Sequence, residues 1–236
     1  LPLGRIQFFS SVASTNDMAA RLASEGAPDL TLVVAGQQTA GKGRAGRKWF
    51  SPPGASIALS LALRPQQSLA ESQEINSLLL RYTALGALAV CDALHTLYQL
   101  PAEIKWPNDV LLEGKKTSGI LIEATSQGNK IERFVIGIGI NVNQPSFQGT
   151  FNYPPTSIRN ELGRNVEREK LLAEILNNFE LLLEMIKKNK SEVINDWKSK
   201  CKMIGERISI VENDSEKFGI FYDIDEEGFL LLKTKD

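Results

Sequence analysis

Residues 134 to 143 read FVIGIGINVN, and the alternation in that stretch has a period of two. A strand places successive side chains on opposite faces, so Ile136, Ile138, Ile140 and Val142 share one face while Gly137, Gly139 and Asn141 share the other. The apolar face belongs to a core. A face stripped to glycine usually marks the close approach of a ligand or another backbone. Asn141 ends the bare stripe and reads as a polar anchor at the far end of a groove for a flat ligand. Further strands are predicted at RIQFF (5–9), at LTLVVAGQQ (30–38) and at SIALSLAL (56–63), the last stopped by Pro65. Between 73 and 99, apolar residues recur at three- and four-residue spacings, which predicts a long buried helix. Cys91 and His95 lie inside it and read as structural.

Composition narrows the classes. With 236 residues, 42% hydrophobic and 23% charged, the chain is one large domain or one domain with a small appendage. Two well-separated cysteines and a single histidine argue against a Cys/His zinc site and a His-based triad. Unpaired cysteines fit a reducing, cytoplasmic compartment. No stretch reads as the ~20 apolar residues of a membrane span, and the N-terminus shows no signal-peptide pattern.

Residues 41 to 49, GKGRAGRKW, interleave three glycines with four cations. Gly41, Gly43 and Gly46 permit positive φ and close backbone approach, while Lys42, Arg44, Arg47 and Lys48 offer donors with no acceptor. Such a loop suits a phosphate-rich ligand and would close over it. The terminal Gly-Lys-Ser/Thr of a P-loop is missing. A nucleic-acid patch fits poorly with a net charge of -1 and a pI near 6.1. A solvated glycine-rich hairpin is the bland alternative.

Two further stretches carry polar residues where strands end. Ser14, Thr15 and Asn16 precede a helix expected to begin near Asp17; they serve as caps and equally as a binding site for a small polar head group. Gln37 and Gln38 end a buried-looking strand, and one of them is expected to face a ligand, since a buried amide needs a partner. In EIKWPNDVLLEGKKTSGILIEAT (103–125), Pro107 stops a short strand, Asn108 and Asp109 turn the chain, and Glu113-Gly114 forms a hairpin. Lys105, between Ile104 and Trp106, needs either a bound anion or a route to solvent. Toward the C-terminus a helix spans Leu171 to Ile186 and a short one surrounds Trp197. Three short strands follow, with turns at Glu212 to Ser215 and Asp225 to Gly228. Three strands alone are marginal, so this piece must pack on the rest.

Taken together, STN (14–16), GKGRAGRKWFSP (41–52), KWPND (105–109), KTSGILIE (116–123) and GIGINVN (137–143) resemble biotin protein ligase, in order and across almost the whole chain. The Arg-rich serine-glycine-glycine-glycine motif of lipoate ligases and octanoyltransferases is not found. The resemblance implies an α+β fold: a class II synthetase-like mixed sheet flanked by helices in residues 1–200, and a small SH3-like β domain in 201–236. It implies biotin activation with ATP and Mg²⁺, then transfer to one lysine of a biotin carboxyl carrier domain. No nucleic acid or membrane partner is expected, and a homodimer stays open.

By the same resemblance, Ser14, Thr15, Asn16 and Gln38 bind the ureido head. Gly41, Lys42, Gly43 and Arg44 cover the biotinyl-phosphate region, and Gly119, Gly137 and Gly139 line the biotin groove. Lys105 contacts the biotin carboxylate and α-phosphate and, with Arg44, is the catalytic candidate. Arg47, Trp49, Asn108, Lys116 and Asn141 serve ATP and the adenylate. Lys42 stands where the family often has Arg, and the family's closing C-terminal strand, with its Gly-Glu and Ser-Leu-Arg pattern, is missing. Thirteen residues precede Ser14, too few for a winged helix, so the form without a DNA-binding domain is expected. The competing readings are a lipoate or octanoate transferase and a biotin-sequestering protein without catalysis.

Overall fold

The computed structural model describes residues 1–64, 72–127, 130–151, 153–212 and 215–234. Pro65 and the middle of the turn from Glu212 to Ser215 lie outside these residues. Seven strands form one sheet: β1 (Arg5–Phe9), β2 (Thr31–Ala35), β3 (Ser56–Leu63), β4 (Ala102–Lys105), β5 (Asp109–Leu112), β6 (Lys115–Gln127) and β7 (Lys130–Asn141). Their order is β1-β2-β3-β7-β6-β5-β4, with β1 and β2 parallel and every other pair antiparallel. The sheet is therefore mixed, as the family resemblance implies. β2 is shorter than its predicted run, and Gln38 returns beside Val12 only as an isolated bridge. Glu113 and Gly114 take φ of 48° and 70°, the left-handed pair that closes a two-residue hairpin between β5 and β6.

The two faces of the sheet differ in kind. Ile57, Leu59, Leu61, Ile120, Ile136, Ile138 and Ile140 turn one face into the main core, against α2 (Ser72–Tyr98) and α4 (Arg168–Lys188). Each such side chain contributes about 1.5–3 kcal/mol on burial, so this face anchors the fold. Cys91 is buried in α2, and burial pushes its thiol up to about 12, which fits an inert structural cysteine. One expectation is corrected here. Residues Glu74–Tyr98 do reach the length and apolar composition of a membrane-crossing helix. Their hydrophobicity is explained by the core, where 67% of that window is buried.

The opposite face is covered only in part, by α1 (Thr15–Ser24), which packs on β2, β3 and β7. Beyond α1 the middle of this face is stripped to small residues, with Ala58, Gly119, Gly137 and Gly139 side by side. Across the strands, Ala58, Gly139, Gly119, Asp109 and Lys105 pair in one continuous row. Strand spacing of about 4.8 Å puts Lys105 roughly 10 Å beyond Gly119 along that row. The row is the floor of a trough leading from α1 to the β4 edge.

α3 (Ile158–Leu162) and α5 (Lys190–Ser199) complete the helices, and β8 (Arg207–Glu212), β9 (Ser215–Ile224) and β10 (Leu230–Lys233) form a separate antiparallel sheet. Those three strands do pack on the rest. Phe221 and Ile224 are buried in the same core as Trp197 of α5. The Trp106 indole donates to the Gly228 carbonyl at 3.2 Å. Glu227 accepts from Ser77 at 2.5 Å and Lys190 at 2.9 Å and pairs with Arg81, and these partners hold its carboxyl down at about 2.

Candidate active site

A small open cleft lies where α1 meets the bare face of the sheet. Ser14, Thr15 and Asn16 form one wall, and Gln38, Lys42 and Trp49 form the other. Gly119, Gly137 and Gly139 are the floor. The helix starts two residues before the predicted position: Ser14 is the N-cap, its Oγ accepting from the Asp17 amide at 3.4 Å. Capping and cleft lining are thus performed by the same side chains.

The head of the cleft is a continuous hydrogen-bond network. Gln38 Oε1 accepts from the Thr15 amide at 2.8 Å and from Thr15 Oγ1 at 3.0 Å, and Gln38 Nε2 donates to Ser51 Oγ at 3.1 Å. Asn16 Nδ2 donates to Glu123 Oε2 at 2.7 Å and to the Leu121 carbonyl at 3.4 Å. Beneath both lies Ser60, fully buried, with its Oγ 2.8 Å from Thr15 Oγ1 and 2.6 Å from Asn16 Oδ1. Counting protons leaves a short inventory for a ligand. Among the described residues, the Ser14 hydroxyl and one Gln38 Nε2 proton have no protein acceptor, and Asn16 Oδ1 keeps one lone pair. Two donors and one acceptor therefore face the cleft.

The glycines are needed for proximity. A Cβ on Gly137 would stand 2.1 Å from Asn16 Oδ1, and one on Gly139 would stand 2.4 Å from Trp49 Cε2. What approaches the bare stripe here is the protein's own amide and indole. The Trp49 Nε1 is buried without a hydrogen-bond partner among the described residues. In the glycine loop only Gly46, at 71°, takes positive φ, and Ala45 joins it at 54°. Gly41 serves close approach instead: a Cβ there would meet the Trp49 carbonyl at 2.4 Å.

Toward β4 the polar groups become cationic. Lys116 Nζ passes 3.4 Å from a Cβ built on Gly119 and pairs with Asp109 at 2.7 Å. Arg44 donates to Asn108 Oδ1 at 3.1 Å, and Arg47 Nε donates to the Arg44 carbonyl at 3.0 Å. Lys105 lies outside the cleft lining, with its ammonium 4.0 Å from the centre of the Tyr153 ring. Asn141 is also outside: its amide is buried, donating to the Lys116 carbonyl at 3.4 Å and accepting from Gln144 at 3.0 Å. It steadies the strand that carries Lys116. Gly41, Gly43, Arg44, Arg47, Asn108 and Lys116 do not line the cleft either, although Lys116 reaches the Gly119 end of its floor.

Three residues that sequence reasoning passed over belong to the network: Ser60, Ser51 and Glu123. Ser60 carried a usable signal, because the period of SIALSLAL puts Ser56, Ala58 and Ser60 together on a small, polar face. Glu123 stood only as the last residue of KTSGILIE, with no role read for it, since a glutamate in a strand is ordinarily a solvated residue.

Residues 8–141 match the biotin/lipoate A/B protein ligase family, and residues 203–236 match the biotin protein ligase C-terminal domain. The bifunctional ligase/repressor BirA of Bacillus spizizenii is 36% identical over 228 residues, covering 95% of this chain and 68% of that protein. The biotin--[acetyl-CoA-carboxylase] ligase of Paracoccus denitrificans is 34% identical, covering 93% of this chain and 90% of that protein. Among solved structures, a biotin protein ligase from Aquifex aeolicus in complex with biotin and ATP superposes with a TM-score of 0.82 at 29% identity, covering 98% of this chain and 92% of that one. With a catalytic-domain match over more than half its length and a C-terminal match beyond it, the chain belongs to the biotin/lipoate A/B protein ligase family.

Proposed function

We propose that the cleft performs biotin ligation in two steps, and that its head end selects the ureido ring. The observation that carries this reading is the inventory of two donors and one acceptor at the end of a glycine-floored groove. A cyclic urea presents the complement: one carbonyl oxygen for the Ser14 and Gln38 protons, and an N–H for Asn16 Oδ1. A lipoyl or octanoyl head would leave those buried groups unpaired, a cost of about 1–3 kcal/mol each.

In the first step a biotin carboxylate oxygen attacks the α-phosphorus of ATP and pyrophosphate departs, leaving biotinyl-5′-AMP. Two anions must meet, and the Lys116 ammonium above Gly119 neutralises that junction. Arg44 and Arg47 supply further positive charge along the trough, and Lys105 reaches the outer phosphates at its end. Mg²⁺ binds mostly through substrate phosphates with one or two carboxylates; Asp109, the carboxylate of the row, would hold it, and it would neutralise charge on those phosphates. In the second step a lysine amine of a carboxylase's biotin carrier domain attacks the acyl carbon, and AMP leaves with the bonding electron pair. Until then the glycine loop must keep water from the mixed anhydride. Residues 1–200 form the catalytic unit and 201–236 the C-terminal unit in this reading, and the working compartment is the cytoplasm.

Biotin-dependent exchange of labelled pyrophosphate into ATP tests the proposal, with lipoate and octanoate as controls. Exchange with biotin alone is expected. Preference for octanoate would overturn the assignment, and ligand binding without exchange would point to a sequestering protein.

A further inference from the structure

Asn16 is held from two sides by groups of opposite hydrogen-bonding character. Glu123 Oε2 lies 2.7 Å from Asn16 Nδ2, and the fully buried Ser60 Oγ lies 2.6 Å from Asn16 Oδ1. An ionised carboxylate can only accept, so the NH₂ end must turn toward Glu123. The oxygen is thereby turned over Gly137, where a Cβ would come within 2.1 Å of it. Ser60 tolerates either orientation, because a hydroxyl both donates and accepts. Glu123 makes the choice, seconded by the Leu121 carbonyl, which accepts from the same Nδ2 at the longer distance of 3.4 Å. Its other oxygen, Oε1, stands 3.7 Å from the Lys42 ammonium, so the same carboxylate also meets the glycine loop.

We propose that Glu123 is a positioning residue that fixes the Asn16 carboxamide as an acceptor toward the ligand, so that the cleft selects a head group presenting an N–H beside its carbonyl. This rests on the biotin reading and deepens it. Without Glu123 only the 3.4 Å contact to the Leu121 carbonyl opposes rotation of the amide, so Asn16 can present NH₂ more readily, and a head carrying a ring oxygen in place of that N–H becomes more acceptable.

The test uses the full chain in pyrophosphate exchange with biotin and with its two cyclic carbamate analogues, in each of which one ureido N–H is replaced by oxygen. Wild type is expected to reject one of the two isomers by on the order of 10²-fold in kcat/KM or more, as sites built to bond an N–H do. Glu123→Met is expected to raise KM for biotin by about tenfold, the equivalent of one lost hydrogen bond, with a much smaller change in kcat, and to shrink the discrimination between biotin and that isomer. Glu123→Gln retains an acceptor oxygen and should fall between the two, which also serves if the methionine variant fails to fold. An unchanged KM and an unchanged discrimination ratio in the variants overturn the inference while leaving the biotin reading intact. A loss confined to kcat, with the ratio untouched, also overturns it. Absence of biotin-dependent exchange in wild type would overturn the reading and the inference together.

Discussion

At the α1 end of the trough, each side-chain amide and hydroxyl around the head already has a partner, from Ser51 through Gln38, Thr15, Ser60 and Asn16 to Glu123. Toward β4 the same face carries cations: Lys116 rests on Asp109, Arg44 on a single asparagine oxygen, and Arg47 on a backbone carbonyl. Even the Trp49 N–H between the two ends has no partner among the described residues. A buried network whose members already hold one another in place is preorganised, so the two donors and one acceptor it leaves over can be completed by a ligand with little reordering. Groups held by weak or shared contacts are completed only when an anion arrives. The difference predicts that head-end substitutions act mainly on biotin KM, whereas those near β4 act on the chemical step and on retention of the adenylate.

The largest effect is expected at Lys116. Lys116→Ala removes the ammonium nearest the junction of carboxylate and phosphate and should lower kcat for exchange by on the order of 10²–10³-fold, with biotin KM changed far less. Lys105→Ala, a strand spacing or two farther along the row, should cost about tenfold less. Steady-state exchange rates for the two variants decide between them. A deeper loss at Lys105 would move the reacting atoms outward and break the division drawn between the two ends.

Gly137→Ala comes next. The added methyl cannot coexist with Asn16 in place, and biotin KM should rise by roughly 30- to 100-fold, equivalent to about 2–3 kcal/mol. Gly139→Ala displaces Trp49 instead, so its effect should fall on ATP affinity as well. Titrating each substrate against both variants separates the two outcomes, and identical profiles would merge the regions.

The strands, the long core helix and the bare glycine stripe were all legible, because period-two and three-to-four spacings report which face is buried. The STN, glycine-loop and KWPND segments were legible as groups. What the pattern could not convey was which lysine reaches the floor. Lys105 looked the more constrained, being flanked by Ile104 and Trp106. Yet the Lys116 side chain folds back along its own strand to within 3.4 Å of a Cβ built on Gly119, while Lys105 finds the Tyr153 ring from a loop about fifty residues away in sequence. Glu123 was hidden for a similar reason, since its partner Asn16 lies more than a hundred residues earlier. Long-range pairing of polar side chains leaves no local periodicity to read.

Arg44→Gly should matter less for turnover than for containment. Removing the guanidinium that ties the loop to Asn108 should speed escape of the adenylate about tenfold, the value of one charge-assisted contact of roughly 1.4 kcal/mol. Untargeted biotinylation of a bystander protein measures it. Unchanged leakage would mean that the loop does not guard the open end.

Lys42→Met tests the joint between the two ends and should give the smallest change. Lys42 pairs with Asp17 on α1 and stands near Glu123 on β6, so it fastens the glycine loop to the preorganised end. The Asp17 hydrogen bond, opposed by burial and aided by Glu123, raises the lysine pKa above its ordinary value of 10.5. A raised pKa in the folded state means that the pairing is fully present below about pH 10.5 and is lost only as pH rises through the folded value. Between pH 6 and 9, then, the lysine end of the latch should show no titration of its own. The pair is exposed, so its contribution is about 0–1 kcal/mol, and adenylate escape should quicken by no more than about fivefold. High salt should reproduce most of that change in the wild type and add little in the variant. A larger change, or one confined to biotin KM, would show that Lys42 belongs to the head end rather than to the joint.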